Sequence, residues 1–390
     1  MSKPQIDERL KEWATPRQAE YIDAIIKFGS IRKAAAHLGL AKQTIDHGMS
    51  MVKARAARGG HAPGHFDAGV APGYRMGKVT VQRSASGVER VWERQHPERE
   101  KLREELIEFV ANVVDDVRGM SPLVDLPDYP SEDLLSMYCF GDPHFGLASS
   151  KLNGGEDTEL EEADRLTRAG IDSLVNRMPS TEKAVLLFAG DNTHANDSTA
   201  QTPKGKHQLE VDVKGHGQSV LSVSRAICYA SVRALENHDF VEVWVLPGNH
   251  DPDAAFAVAV AVSMFFENND RVRVRLSQDY LWHLQFGKNL IAACHGDKVK
   301  PIELHGILSN DCKDFWHLCD FRYVWFGHVH HDTVLEFQKT RMESLRTLSK
   351  TDRWHKSHGF RSMRDTRAVL YHADHGEISR VTVNASLLGG

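Results

Sequence analysis

Apolar residues follow several distinct rhythms along the chain. In 17–28, RQAEYIDAIIKF, they recur at Ala19, Ile22, Ile25, Ile26 and Phe28, the spacing of one helix face. Gly29 ends that helix, and Ser30 can cap a second over 31–38, with Ala34, Ala35 and Leu38 inside. Gly39 breaks the second helix. A third begins at Lys42, with Ile45 and Met49 as its apolar seam. A short helix, a glycine turn and a helix that opens on polar residues form the helix-turn-helix pattern. Residues 1–60 are therefore expected to be a small all-α domain.

Residues 61–130 read as a connecting region. The stretch RGGHAPGHFDAGVAPGYRMG, rich in Gly, Pro and Ala, predicts a linker. Residues 78–83 and 88–92 predict a small hairpin across SASG. Pro97 opens a predicted helix, REKLREELIEFVANVVDDV, which Gly119 and Pro122 end in a loop.

From 131 onward, continuous apolar runs recur at 137–140, 184–189, 241–246, 290–294 and 323–326. Helical spacing over 159–178 and 219–237 lies between several of them. Buried strands alternating with helices predict an α/β domain over 131–390. No 18-residue apolar run exists, so no membrane span is expected. The opening MSKPQIDERLKEW lacks the apolar centre of a leader peptide, which points to a cytoplasmic protein.

Composition changes this picture only at two points. An apolar content of 41% and a net charge of -5 describe an ordinary globular chain and do not select polyanions as partners. Within that total, basic residues outnumber acidic ones over 32–58 and again over 335–367. The five cysteines form no CxxC and no disulfide framework, as expected for a reducing compartment. The 22 histidines matter more, because imidazole is the commonest metal ligand.

Each apolar run of the α/β region ends in residues able to hold a metal. CFGDPHFG offers Asp142 and His144, and FAGDNTH offers Asp191. LPGNHD offers Asn249, His250 and Asp251, AACHGD offers His295, and WFGHVHH offers His328 and His330. Ligands of α/β sheets bind beyond the carboxyl ends of strands, so five such ends point at one crevice. Gly141, Gly190, Gly248 and Gly327 are expected to let the chain turn sharply as it leaves the sheet. Mixed nitrogen and oxygen donors suit Mn, Fe, Ni or Zn. The set is large for one ion and suits two ions roughly 4 Å apart.

These five blocks, in this order, resemble the calcineurin-like metallophosphoesterase superfamily, whose pattern is D-x-H, G-D, G-N-H-D/E, H and G-H-x-H. The resemblance implies a four-layer α/β/β/α sandwich and a phosphoesterase that uses two divalent ions, Mn2+ foremost. It places Asp142, His144 and His330 on one ion and Asn249, His295 and His328 on the other. Asp191 would bridge them, with a bridging hydroxide as nucleophile. His250 would contact the phosphate and protonate the leaving group, and Asp251 would orient His250.

Other residues bear on the substrate. The polar stretch after Asp191 reads as an active-site loop in which His194, Asn196 and Lys204 meet substrate. In DRWHKSHGF, Trp354, His355 and His358 either stack a base and hold phosphate or form a capping turn. In the third helix, Lys42, Gln43 and Thr44 occupy the part that would meet base edges, and Lys53, Arg55 and Arg58 would track the DNA backbone. This small domain resembles DNA-binding units of phage and bacterial regulators and of small terminase proteins. The combination resembles phage- and prophage-encoded phosphoesterases with an N-terminal helix-turn-helix, and the DNA-repair nuclease branch of the superfamily. It implies a DNA phosphodiesterase or nuclease of a bacterial or phage-infected cell, with a homodimer suited to paired half-sites. The alternatives are a hydrolase of small phosphoesters such as cyclic nucleotides, and a DNA-binding regulator on a non-catalytic scaffold.

Overall fold

The computed structural model describes residues 6–40, 42–63, 65–71, 74–84, 87–97, 118–153, 155–359 and 361–389. The helix expected over 99–117 lies outside them. The chain forms two compact units, Met1–Glu104 and Glu105–Gly390.

In the first unit a 3-10 turn, Glu8–Trp13, precedes three helices: α1 (Pro16–Phe28), α2 (Ile31–Leu38) and α3 (Lys42–Arg58). Thr15 and Gln18 cap the start of α1 reciprocally, with Pro16 in its first turn. Gly29 closes α1 in the left-handed conformation, and the Ser30 hydroxyl accepts from the Lys33 amide at 3.3 Å. Ile22, Ile25, Ala34, Ala35, Ile45, Met49 and Val52 share one core. Ile26, expected on the buried face, is exposed. The stretch read as linker contains two short paired strands, β1 (His61–Ala62) and β2 (Phe66–Asp67). The small hairpin is longer than its apolar pattern indicates. β3 (Tyr74–Ser84) and β4 (Gly87–Pro97) have 11 residues each.

The second unit is mixed α/β. β5 (Ser131–Phe140), β6 (Thr181–Phe188), β7 (His238–Val245) and β8 (Val272–Val274) run parallel. β14 (Asp365–His372) and β15 (Gly376–Asn384) add antiparallel strands on the β5 side. The helices Leu160–Val175, His216–Leu235 and Ala254–Phe265 are the crossovers that parallel neighbours need. In a second sheet β10 (Asn289–Cys294), β11 (Phe321–Phe326) and β13 (Thr340–Ser344) run parallel. β9 (Trp282–Phe286) and β12 (Val334–Phe337) close its edges.

Strand residues alternate between faces, and the apolar clusters follow that alternation. Met137, Leu187, Trp244 and Val369 of the first sheet cluster with Ile291, Ala293 and Trp325 of the second. Tyr138, Leu186 and Val243 cluster with Ile171, Ile227 and Val258 of the crossover helices. Leu290, Ala292 and Val324 cluster with Leu304 and Leu308.

His238 starts β7 and is fully buried, with Nε2 2.7 Å from the Tyr138 hydroxyl and Nδ1 2.8 Å from that of Thr181. Burial pushes its pKa down to about 4. The unfolded chain takes up that proton near pH 6.5, roughly, so stability falls as pH drops from there to the folded value and is complete above the window. The loss is on the order of 3 kcal/mol. Urea unfolding at about pH 7 and about pH 4.5 should therefore show a smaller pH-dependent loss in His238→Gln than in the wild type.

Candidate metal centre

Strand register brings the five ends together. Phe140 lies opposite Phe188, which lies opposite Val245, and in the second sheet Cys294 lies opposite Phe326. The departing loops then bond to one another. The amides of His144 and Phe145 donate to the carbonyls of Asp191 and Asn192, and the His194 amide donates back to Phe145, each at 2.9 Å. The Gly327 amide donates to the His295 carbonyl at 2.9 Å.

The glycines act otherwise than expected at most of these turns. Only Gly190, at φ 97°, takes the conformation that glycine alone adopts freely. At Gly248 a Cβ would lie 2.1 Å from an Asp191 carboxylate oxygen, and at Gly327 it would lie 2.7 Å from one of Asp142. These two are small because carboxylates lie against them. The left-handed backbone falls instead on Asp142 (φ 45°), His144 (46°), Asp191 (48°), His328 (69°) and His330 (55°). Each such non-glycine residue costs about 1–3 kcal/mol.

Asp142, His144 and His330 form one group of donors, and Asp191, His295 and His328 form another. His144 Nε2 and His330 Nε2 lie 3.2 Å apart, and His295 Nε2 lies 3.0 Å from Asn249 Oδ1 and 3.3 Å from Asp191 Oδ2. Two ligands each about 2.1 Å from one ion stand roughly 3.0–3.5 Å apart. Two imidazole nitrogens at this separation either share one proton in a hydrogen bond or turn their lone pairs toward one cation. Asp142 and Asp191 are 0% and 2% exposed, and among the described residues no Lys or Arg comes within 4.0 Å of either. Buried carboxylates need compensating charge, which a divalent cation supplies. The field is strong enough that, although burial works against the cation, Asp191 and Asp142 raise the His295 pKa to about 10. The residues therefore fit a metal centre.

A second ring of contacts orients the donors. The two Asp142 oxygens accept from the His328 amide at 2.9 and 3.0 Å. His194 Nδ1 lies 3.3 Å from His144 Nδ1, leaving His144 Nε2 to face His330. The His194 carbonyl accepts from His250 Nδ1 at 2.8 Å, and the two rings stack at 5.2 Å. The Thr347 and Ser349 hydroxyls, each at 2.6 Å, hold the carbonyls of Asp142 and Pro143. Sequence reading passed over both, because a lone Ser or Thr after a strand carries no distinctive signal.

Asp251 is placed differently from the role the resemblance implied. Its buried carboxylate accepts from the amides of Asp191, Asn192, Thr193 and Gly248 and from the Asn192 side chain, at 2.7–3.1 Å. It shapes the Asp191 loop, and the group that orients His250 is the His194 carbonyl. Asp251→Ala would strand these buried donors at a cost of at least about 3 kcal/mol. The melting temperature should fall by roughly 6–10 °C. Asp251→Asn, which keeps one acceptor oxygen, should fall less.

The remaining substrate candidates separate. His194 borders the donors, and its buried Nε2 has no hydrogen-bond partner among the described residues. His355 stacks on His330 at 4.9 Å and is held by Asp352 at 2.7 Å. Asn196 is engaged elsewhere, bonding Asp253 and the Ala254 amide at the start of a helix. Lys204 and His358 are exposed, with His358 3.1 Å from the Ser357 hydroxyl. Trp354 lies in the helical turn Arg353–Ser357, and its side chain is outside the described ones. In the first unit Lys42, Gln43, Thr44, Lys53 and Arg58 are exposed, whereas Arg55 bonds Gln18.

No family model and no curated protein matches the chain. Solved structures with a similar course include an archaeal phosphodiesterase, at 10% identity over 64% of this chain and 99% of that one, with a TM-score of 0.31. Others are a predicted phosphoesterase of Streptococcus pneumoniae (11%, 64% and 98%, 0.26) and zinc-complexed Vps29 of Entamoeba histolytica (11%, 64% and 99%, 0.26). Likeness at this level carries no argument about activity. Among the described residues, no helix is long and apolar enough to cross a membrane.

Proposed function

We propose that the second unit is a calcineurin-like, dinuclear-metal phosphodiesterase and that its substrate is DNA. The observation that supports this most is the convergence of two buried carboxylates and four imidazoles from four strand ends, with Asn249 from a fifth and, among the described residues, no Lys or Arg beside the acids. Asp142, His144 and His330 would hold one ion, Asn249, His295 and His328 the other, with Asp191 a further ligand. Mn2+ is the first choice, and Fe, Ni or Zn fit the same donors. Two bound divalent ions would clamp a phosphoryl group and lower the pKa of water.

The side chains around this centre do the rest. A carbonyl can only accept, so His250 Nδ1 keeps its proton on His194, and Nε2 is the atom that passes a proton to the leaving oxygen. His194 and His355 bind the phosphate and its neighbouring nucleotide. The first unit recruits DNA through α3, with Lys42, Gln43 and Thr44 at base edges and Lys53 and Arg58 on phosphates.

The test is hydrolysis by Mn-loaded protein of a labelled single strand, a labelled duplex, a 2′,3′-cyclic nucleotide and bis-p-nitrophenyl phosphate. The expected result is cleavage of DNA and of the chromogenic diester, lost in an active-site variant. Cleavage of the small diesters alone would overturn the DNA assignment, and a chain that holds no metal would overturn the whole reading.

A further inference from the structure

The first unit carries a surface that the helix-turn-helix reading does not use. β3 and β4 form a two-stranded ribbon outside both larger sheets. Thr80 pairs with Trp92, Val79 with Glu93 and Met76 with Gln95. Between the last two pairs β3 has two residues, Gly77 and Lys78, where β4 has one, Arg94. This bulge sets Lys78 beside Arg94. Alternation then gives the ribbon two unlike faces. One turns Met76 inward, 5% exposed. The other carries Lys78, Thr80, Trp92 and Arg94, all exposed.

Trp92 is 51% exposed, which is unusual for so large an apolar ring. Among the described residues neither Lys78 nor Arg94 has a carboxylate within 4.0 Å, although Glu93 sits between Trp92 and Arg94 in sequence. It points to the other face. The ribbon is fastened at its base: the Gln95 side chain accepts from the Ala71 amide at 2.9 Å and donates to the Gly69 carbonyl at 3.0 Å. Residues 74–97 contain five Lys or Arg and two Glu in a chain whose net charge is -5. The charge of this segment is therefore opposite to that of the whole.

We propose that this ribbon face binds an unpaired nucleic-acid strand, with a base stacked on Trp92 and flanking phosphates on Lys78 and Arg94. The proposal rests on the reading of the first unit as a DNA-recruiting domain and adds the form of nucleic acid it takes. An exposed indole offers a flat surface to any base, but bases inside a duplex are already stacked on their neighbours. The indole therefore selects single-stranded segments, while the two cations supply affinity that does not depend on sequence. A lipid surface fits less well, because one aromatic residue and one threonine give little area to insert.

The experiment uses the full chain and measures fluorescence anisotropy with a labelled 20-mer single strand, a blunt duplex and anionic vesicles. The wild type should bind the single strand and quench its tryptophan emission. Trp92→Ala should weaken single-strand binding by roughly 5- to 100-fold, as expected for one stacked base. It should leave duplex affinity and the circular dichroism melt unchanged. Trp92→Phe should keep part of the binding. Lys78→Ala with Arg94→Ala should flatten the salt dependence, lowering the slope of log K on log salt by about 1.4 for two phosphates on a single strand. Unchanged single-strand binding in both variants overturns the proposal. So does an equal loss on duplex, or a loss on vesicles alone. A wild type that binds no nucleic acid at all overturns instead the reading of the first unit on which the proposal rests.

Discussion

Asp191→Asn should fold normally, bind at most one divalent ion per chain and lose hydrolysis by about three orders of magnitude. The Asp191 carboxylate belongs to the second donor group, 3.3 Å from His295 Nε2, and comes within 4.0 Å of His144 Nε2 of the first. Its Oδ1 also accepts from the His250 amide at 2.7 Å, a bond that an asparagine carbonyl can retain. The change therefore removes one negative charge and one ligand oxygen and leaves the local hydrogen bond in place. Two ions sharing this carboxylate would lose both their common ligand and the spacing a phosphoryl clamp needs. The several kcal/mol of transition-state stabilisation such a clamp provides corresponds to about 10³ in rate. Metal content by plasma mass spectrometry, together with turnover of bis-p-nitrophenyl phosphate, checks both halves. A variant with two ions and normal turnover would show that Asp191 does not bridge them.

His250→Ala should separate turnover from metal binding. The ring is fastened through Nδ1 to the His194 carbonyl and stands 5.0 Å, edge to face, from the His144 ring. Removing it takes away a proton carrier and no ligand of either donor group just described. General acid catalysis typically contributes 10²–10⁴ in rate, so kcat on a poor leaving group should fall by about 100-fold or more. On p-nitrophenyl esters, whose leaving group departs without a proton, the fall should be much smaller. Both ions should remain. Loss of metal in His250→Ala would make the residue a ligand instead.

Much of the site was legible because ligand chemistry leaves a local trace in sequence. Four apolar runs closed by glycine and then Asp, Asn or His, and a fifth closed by His295 itself, mark buried strands whose ends meet a crevice, and in order they point to Asp142 through His330. The supporting contacts left no trace of that kind. Asp251 sits beside His250 in the chain yet serves the Asp191 loop, because its carboxylate points into the turn below and not along the chain. His194 could be listed as a polar loop residue, but only three dimensions show that its ring meets His144 while its carbonyl meets His250. Ile26 kept helical spacing and still faces solvent, since among the described residues of the first unit none covers that side of α1. The hairpin was underestimated for a related reason. Its outer positions, such as Lys78 and Arg94, are polar, and apolar pattern is a poor measure of a ribbon with only one covered face.

The left-handed backbone at Asp142, His144, Asp191, His328 and His330 also constrains how such a chain can change over time. At these positions the side chain is retained against its own conformational preference. A glycine there would relax the backbone by about 1–2 kcal/mol per residue while abolishing a ligand. His330→Gly should accordingly melt no lower than His330→Ala, the reverse of the usual order for glycine and alanine, when both are compared in chelator. A descendant released from the need for activity would gain stability by losing these residues first. In this sequence five such strained positions coincide with five side chains of the candidate metal centre.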